Sequence, residues 1–262
     1  MTVRAYVAVE GPHDAELVAA LLRPLGLKRV RAEAQLDPYW KRLVPKSYPH
    51  NGDLLARVPV PLFLAGASCS VAVHAANGVS ELIRRTQASL SLVDGERPAI
   101  AVILDADNEE SPATRFGTLA KGLRNLSLSV PDRAGAVSTE APRCGVFVLP
   151  DNASPGTLEV LLEECGHVQY PQLAKLATDY VDGVDRARLG EEDLKDFTKP
   201  AGRQKAIVAS IATILRPAKA LQVSLQDNEW LRGRALELPR VLAVRRFLAE
   251  ILALPLEAPV SA

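Results

Sequence analysis

The sequence predicts an α/β protein: a mainly parallel sheet flanked by helices, with a helical extension at the C-terminal end. Three observations carry this. Three apolar runs, residues 3–9, 97–105 and 144–149, are each bounded by turn residues and followed by a helical pattern. That alternation is the signature of βαβ units with right-handed crossovers. Each run also ends on acid: Glu10 after the first, Asp105 and Asp107 after the second, Asp151 after the third. Beyond about residue 167 the strand signal fades and helical periodicity takes over.

In chain order, VRAYVAV is β-prone, and HDAELVAALLR follows with Leu17, Val18, Leu21 and Leu22 on one helical face. Pro24 and Gly26 stop that helix. Residues 27–65 hold Tyr39, Trp40, Tyr48, several prolines and the basic Lys41, Arg42 and Lys46, and they read as an irregular insertion or hairpin. CSVAVHA (69–75) is a second core strand, turned by Asn77-Gly78 into a helix reaching about residue 92. The strand at 98–105 leads to a helix over 112–125, with Ser111 and Pro112 suited to N-cap and N1. A fourth strand, 145–149, precedes a helix opened by Ser154-Pro155 and carrying Leu158, Leu161 and Leu162. Segments 171–182, 203–215 and 236–253 read as helices, and the tail from Pro255 as frayed. The expected division is an α/β domain over 1–165 and a helical extension over 166–255 packed on it.

Composition sets limits on function. The chain has 262 residues, enough for a substantial core, and its 31 basic and 31 acidic residues cancel. A net charge of zero argues against bulk electrostatic binding of nucleic acid, although local patches remain open. Cys69, Cys144 and Cys165 are scattered with no CxxC spacing, which disfavours a disulfide framework or zinc site and fits a reducing cytoplasm. No signal peptide and no membrane-spanning run is legible, so a cytoplasmic location is expected.

If the apolar runs are neighbouring parallel strands, their acids gather at the carboxyl edge of the sheet, where α/β folds bind ligands. Carboxylates crowded there repel one another unless a cation joins them, which points to a divalent metal. Glu10 precedes Gly11, and Asp14 follows four residues later, in the first turn of the helix; an acid there also complements the helix dipole with no further role. In ILDADNEE, a strand period of two would aim Asp105 and Asp107 to one side. The alternative has Asp105 capping the loop and Asp107 decorating the next helix. Asp151-Asn152 could be turn chemistry. Glu159 could sit on a solvated helix face, or join the cluster from one turn into its helix. His74 and the three cysteines read as structural.

The motifs VEGPHD and LDAD, with the block GVFVLPDN…GTLEVLLEE, resemble a toprim domain. More narrowly, they resemble an uncharacterised stand-alone toprim-like family related to the OLD (overcoming lysogenization defect) nucleases. The resemblance covers about residues 1–165 well and the C-terminal part loosely. It implies a toprim-like sheet and Mg²⁺ (or Mn²⁺) held by Glu10, Asp105 and Asp107, with Asp14 matching a further acid. Asp151 and Glu159 are the remaining metal candidates. OLD enzymes place a lysine downstream of the acids, and Lys205 is the candidate. It lies within 198–226, which has five basic residues and no acid, although a solvated helix face explains it equally. Lys205 and Arg115 would offset transition-state charge, and Arg203 with them would bind substrate. The implied activity is a metal-dependent nuclease, hence a nucleic-acid partner. No GxxxxGK[ST] phosphate loop occurs, so an ATPase would have to come from a protein partner; self-association is left open. The alternative is a non-catalytic toprim-like module binding nucleic acid or nucleotide in a repair or phage-defence complex. A phosphatase using Asp105 as nucleophile would leave Glu10 unexplained.

Overall fold

A computed structural model describes residues 2–46, 60–107 and 111–256. The sequence enters at once on its central strand, β1 (Val3–Val9), whose Ala5, Val7 and Val9 face one side while Tyr6 and Ala8 face the other. Both sides are buried, as in parallel sheets covered twice. The chain then forms α1 (Pro12–Leu22), a two-residue edge strand β2 (Lys28–Arg29), β3 (Leu62–Ala65) and β4 (Cys69–Ala75). Next come α2 (Leu82–Leu92), β5 (Ala99–Asp105), α3 (Pro112–Asn125) and β6 (Cys144–Leu149). The six strands lie in the order β2-β3-β4-β1-β5-β6. β4, β1, β5 and β6 are mutually parallel, and β3 is antiparallel to β4 and to β2. The stretch expected to be irregular thus supplies the edge strand β2 and its neighbour β3, and its residues 47–59 lie outside the described residues.

From β1 the chain goes to β4 on one side and returns through α2 to β5 on the other. The strand order therefore reverses between β1 and β5, the crevice where α/β sheets accept ligands. Val9 is level with Ile103, so the residues that follow, Glu10 and Asp105, meet at that crevice.

α2 and α3 cover one face, together with Trp40, whose indole donates to Ser70 Oγ at 3.0 Å. Ser111 Oγ accepts from Thr114 N at 3.1 Å and caps α3, as its sequence predicts. The opposite face is covered by α1 and by the C-terminal helices α4 (Leu158–Gln169), α5 (Pro171–Asp182), α7 (Gly202–Leu215), α8 (Leu221–Asp227) and α9 (Pro239–Leu252), whereas the short α6 (Glu191–Leu194) buries none of its residues. α9 packs directly on the sheet, with Phe247 5.5 Å from Phe147 of β6 between ring centres. One continuous core joins Val7, Ile103 and Phe147 of the sheet to Ile211 of α7 and Val244 of α9. The helical extension is thus the second layer of the same core. α6 and α8 carry too few apolar positions to be read from periodicity.

Gly145 sets the approach of α9. A Cβ there would lie 2.6 Å from Phe247 Cε2 and 2.7 Å from the Ala136 carbonyl oxygen. Gly145→Ala is therefore expected to destabilise the protein by about 1–3 kcal/mol through overpacking. The lowered urea midpoint at unchanged slope would show it; an unchanged midpoint would mean that α9 moves away freely.

Candidate active site

The site is assembled from strand ends and helix starts. Glu10 leaves β1, and its Oε1 accepts the backbone N–H of Asp105 at 2.8 Å. Asp105, the last residue of β5, turns Oδ1 onto the Leu158 N–H at 2.8 Å, at the first turn of α4. A carboxylate there meets the positive end of the helix dipole. Asp14 sits in the first turn of α1 and accepts the Gly11 N–H through Oδ2 at 2.9 Å. Its other oxygen, Oδ1, is buried with no hydrogen-bond partner among the described residues. Asp14 thus caps its helix with one oxygen and leaves the other unsatisfied. Glu159, on α4, is buried, and its Oε2 accepts from the Thr157 hydroxyl at 2.7 Å.

These four acids interact strongly. Burial, reinforced by the charge of Glu10 and then of Glu159, pushes the Asp14 carboxyl up to about 7. Asp105 is raised well above the usual carboxylate range by burial and then by Asp14, Glu10 and Glu159. Glu10 is raised chiefly by burial, partly countered by its bond to the Asp105 amide and by Arg115 and Lys205. Three groups displaced in the same direction mark a site short of positive charge.

Asp107 departs from the expected geometry. Its φ is +54°, a left-handed conformation in which its backbone exchanges hydrogen bonds with Gly156 at 3.0 and 3.1 Å. The strand period ends at Asp105 and so does not set the direction of Asp107. Asp107 instead accepts from Arg115 of α3 at 2.5 Å, although its charge still reaches Glu10. The neighbouring residues 108–110, including Glu109 and Glu110, lie outside the described residues.

The structure therefore brings Glu10, Asp14, Asp105, Asp107, Glu159, Arg115 and Lys205 into one electrostatic neighbourhood. Lys205 lies on the exposed side of α7 and makes no ion pair with the described residues. Asp151 and Arg203 are engaged elsewhere. Asp151 accepts from the amides of Ala153 (3.1 Å) and Ser154 (2.7 Å), from the Ser154 hydroxyl (2.9 Å) and from Arg240 (2.9 Å). It is turn chemistry locked to α9. Ser154 consequently belongs to that turn, and α4 begins only at Leu158, because Gly156 holds φ at +138°. Arg203 forms a two-bond ion pair with Asp182, both contacts at 2.8 Å.

Sequence reasoning missed Thr157, the Leu158 amide and Arg240. The first two were hidden by placing the helix start three residues early, and Arg240 by lying 89 residues from its partner Asp151. His74 shares hydrogen bonds with Tyr6 (2.9 Å) and Ser89 (3.3 Å), a structural role. The three cysteines are buried thiols, with Cys144 and Cys165 each pushed up to about 12 by burial. No helix among the described residues is long and apolar enough to cross a membrane.

Fold and site together define an α/β protein with a buried carboxylate cluster at the switch point of its sheet. The chain belongs to the family described as protein of unknown function DUF3226, whose model matches residues 4–240. It is similar in structure to a hypothetical protein from Pyrococcus horikoshii OT3, with 17% identity, 95% of each chain covered and a TM-score of 0.49. No curated protein matches it.

Proposed function

We propose that the protein is a Mg²⁺- or Mn²⁺-dependent phosphoryl-transfer enzyme acting on nucleic acid, a nuclease of the toprim and OLD type. The observation that carries this reading is the buried acid cluster, and within it the unsatisfied Asp14 Oδ1. An all-oxygen donor set of this kind suits a hard divalent cation. Glu10, Asp14, Asp105 and Glu159 would hold it, with Asp107 beside them. The chemistry such a cation supplies when bound is polarisation of a phosphate ester and activation of water. Lys205, exposed on α7 and without an ion pair among the described residues, is available to meet a substrate phosphate, and Arg115 is anchored by Asp107. Asp14, its carboxyl pushed up to about 7, is partly protonated at neutral pH, and a cation bound beside it would favour the ionised form.

A binding module without catalysis is the second reading, and one observation favours it. Among the described residues no three acidic, histidine or cysteine side chains are arranged to hold a metal ion. Glu10 and Asp105 each spend an oxygen on a backbone amide.

Titration calorimetry with Mn²⁺ decides whether the cluster binds metal. Wild type is expected to bind and Asp105→Asn to bind at least about tenfold more weakly, the scale of losing one charged ligand. Equal binding by both would remove Asp105 from the site. Cleavage of single- and double-stranded DNA and RNA in Mg²⁺ and Mn²⁺ then separates enzyme from module.

A further inference from the structure

A second charged site lies at the opposite edge of the sheet. α1 runs back from the acid cluster, and Arg23 follows its last residue, nine residues beyond Asp14 and so about 14 Å along the helix axis. There Arg23, Lys28, Arg29, Arg31 and Arg232 line a cleft of about 470 Å³ in which, among the described residues, Asp227 is the one acid. The volume is that of a small-molecule site.

Ion pairs account for only part of this charge. Arg29 pairs with Glu16, Arg232 with Glu229 at 2.5 Å, and Asp227 is taken by Arg216 at 3.4 Å. Among the described residues Arg23 donates to the Gln226 carbonyl at 3.2 Å and forms no ion pair, while Lys28 and Arg31 are exposed and likewise form none. Arg23, Lys28 and Arg31 therefore bring three cations to one cleft without an ion pair among the described residues, in a chain whose overall charge is zero. Partial burial lowers the Arg23 guanidinium, and the charges of Arg232 and Arg29 lower it further, outweighing the opposing pull of Glu229 and Glu16. Self-repulsion of this kind is relieved by a bound anion. Guanidinium groups favour phosphate oxygens, which they meet in paired hydrogen bonds. One phosphate brings about −1.5 to −2 charge, so three cations call for more than one.

We propose that this cleft binds a phosphate-bearing anion with at least two phosphate groups, supplied by a free nucleotide or by a nucleic-acid backbone. The site is separate from the carboxylates and needs no metal, so its test is run in EDTA on the full chain. Calorimetry at low salt would use pyrophosphate, ATP and a single-stranded DNA oligonucleotide. Pyrophosphate is expected to bind, and Arg23→Gln and Arg31→Gln each to weaken it about tenfold or more. Arg84→Gln, on the exposed part of α2, should leave binding unchanged. Arg31 is exposed, so its variant keeps the test valid if Arg23→Gln disturbs the fold. If ATP alone shares this sensitivity, the source is a free nucleotide. If the oligonucleotide shares it, with a salt slope shallower by about one per arginine removed, the source is a backbone. Unaltered binding by Glu10→Gln would separate this site from the acid cluster. No binding of any of the three probes, or binding unchanged in both arginine variants, would overturn the proposal.

Discussion

If the protein is a nuclease, Glu10→Gln is expected to lower metal-dependent cleavage of nucleic acid by about 10²–10³-fold, while leaving substrate affinity unchanged or slightly higher. The amide oxygen of glutamine can still accept the Asp105 N–H, now at 2.8 Å from Glu10 Oε1, so the crevice keeps its shape. What is lost is a negative charge, which a cation at this position would need and a phosphate backbone would not. Removing a group that holds transition-state charge costs about 10²–10³ in rate. Lys205→Ala separates the two readings from the other side. In a nuclease it lowers cleavage by about 10²-fold with little loss of binding, because its charge acts mainly in the transition state. In a binding module it lowers affinity and salt dependence together. Rate and equilibrium measurements on the same oligonucleotide would distinguish these outcomes. Purified wild type that binds nucleic acid yet cuts none of it in Mg²⁺ or Mn²⁺ would end the nuclease reading.

Stability in the absence of metal is expected to fall as pH rises from 5 to 8. Asp14 ionises near pH 3.9 in an unfolded chain, whereas burial and its acidic neighbours push it up to about 7 in the fold. Between those values the folded protein holds a proton that the unfolded chain has released. Stability from this group is therefore complete below about pH 4, declines through neutrality, and levels off above the folded value. The full span amounts to at most about 4 kcal/mol. Asp105 is raised by the same causes and acts in the same direction. In EDTA the midpoint of thermal unfolding should drop by roughly 5–10 °C between pH 5 and pH 8. Asp14→Asn should flatten that dependence and melt above wild type at pH 8. A divalent cation binding the folded state should raise the wild-type midpoint at pH 8 and the variant's much less. Identical pH profiles for wild type and Asp14→Asn would refute the assignment of this burial penalty to Asp14.

Much of the architecture follows from the sequence directly. The run AIAVIL, before Asp105, is apolar at every position, the pattern of a strand covered on both faces. The spacing of such runs with amphipathic segments implies parallel pairing, and their acidic ends place Glu10 and Asp105 at one edge. Alternation and charge are local properties, and they specify element type and which edge carries the acids. The helical C-terminal segments were legible for the same reason, but their place was not. That they share one core with the sheet depends on contacts such as Phe147 with Phe247, a hundred residues apart, which no local period encodes.

Within the site the division is finer. The sequence by itself determined that Glu10, Asp14, Asp105 and Asp107 lie near one crevice, since each is tied to a strand end or helix start. Only the tertiary structure decided their partners. A left-handed turn at Asp107 directs its carboxylate to Arg115, because backbone conformation overrides strand period once the ladder ends. Arg240, arriving from α9, joins the Ser154 turn in engaging Asp151. Glu159 enters the cluster because Gly156 delays the start of α4 until Leu158 faces Asp105. The basic cleft at the far edge belongs wholly to this second category. Its arginines come from chain positions 23 to 232, and only folding brings their charges close enough to repel.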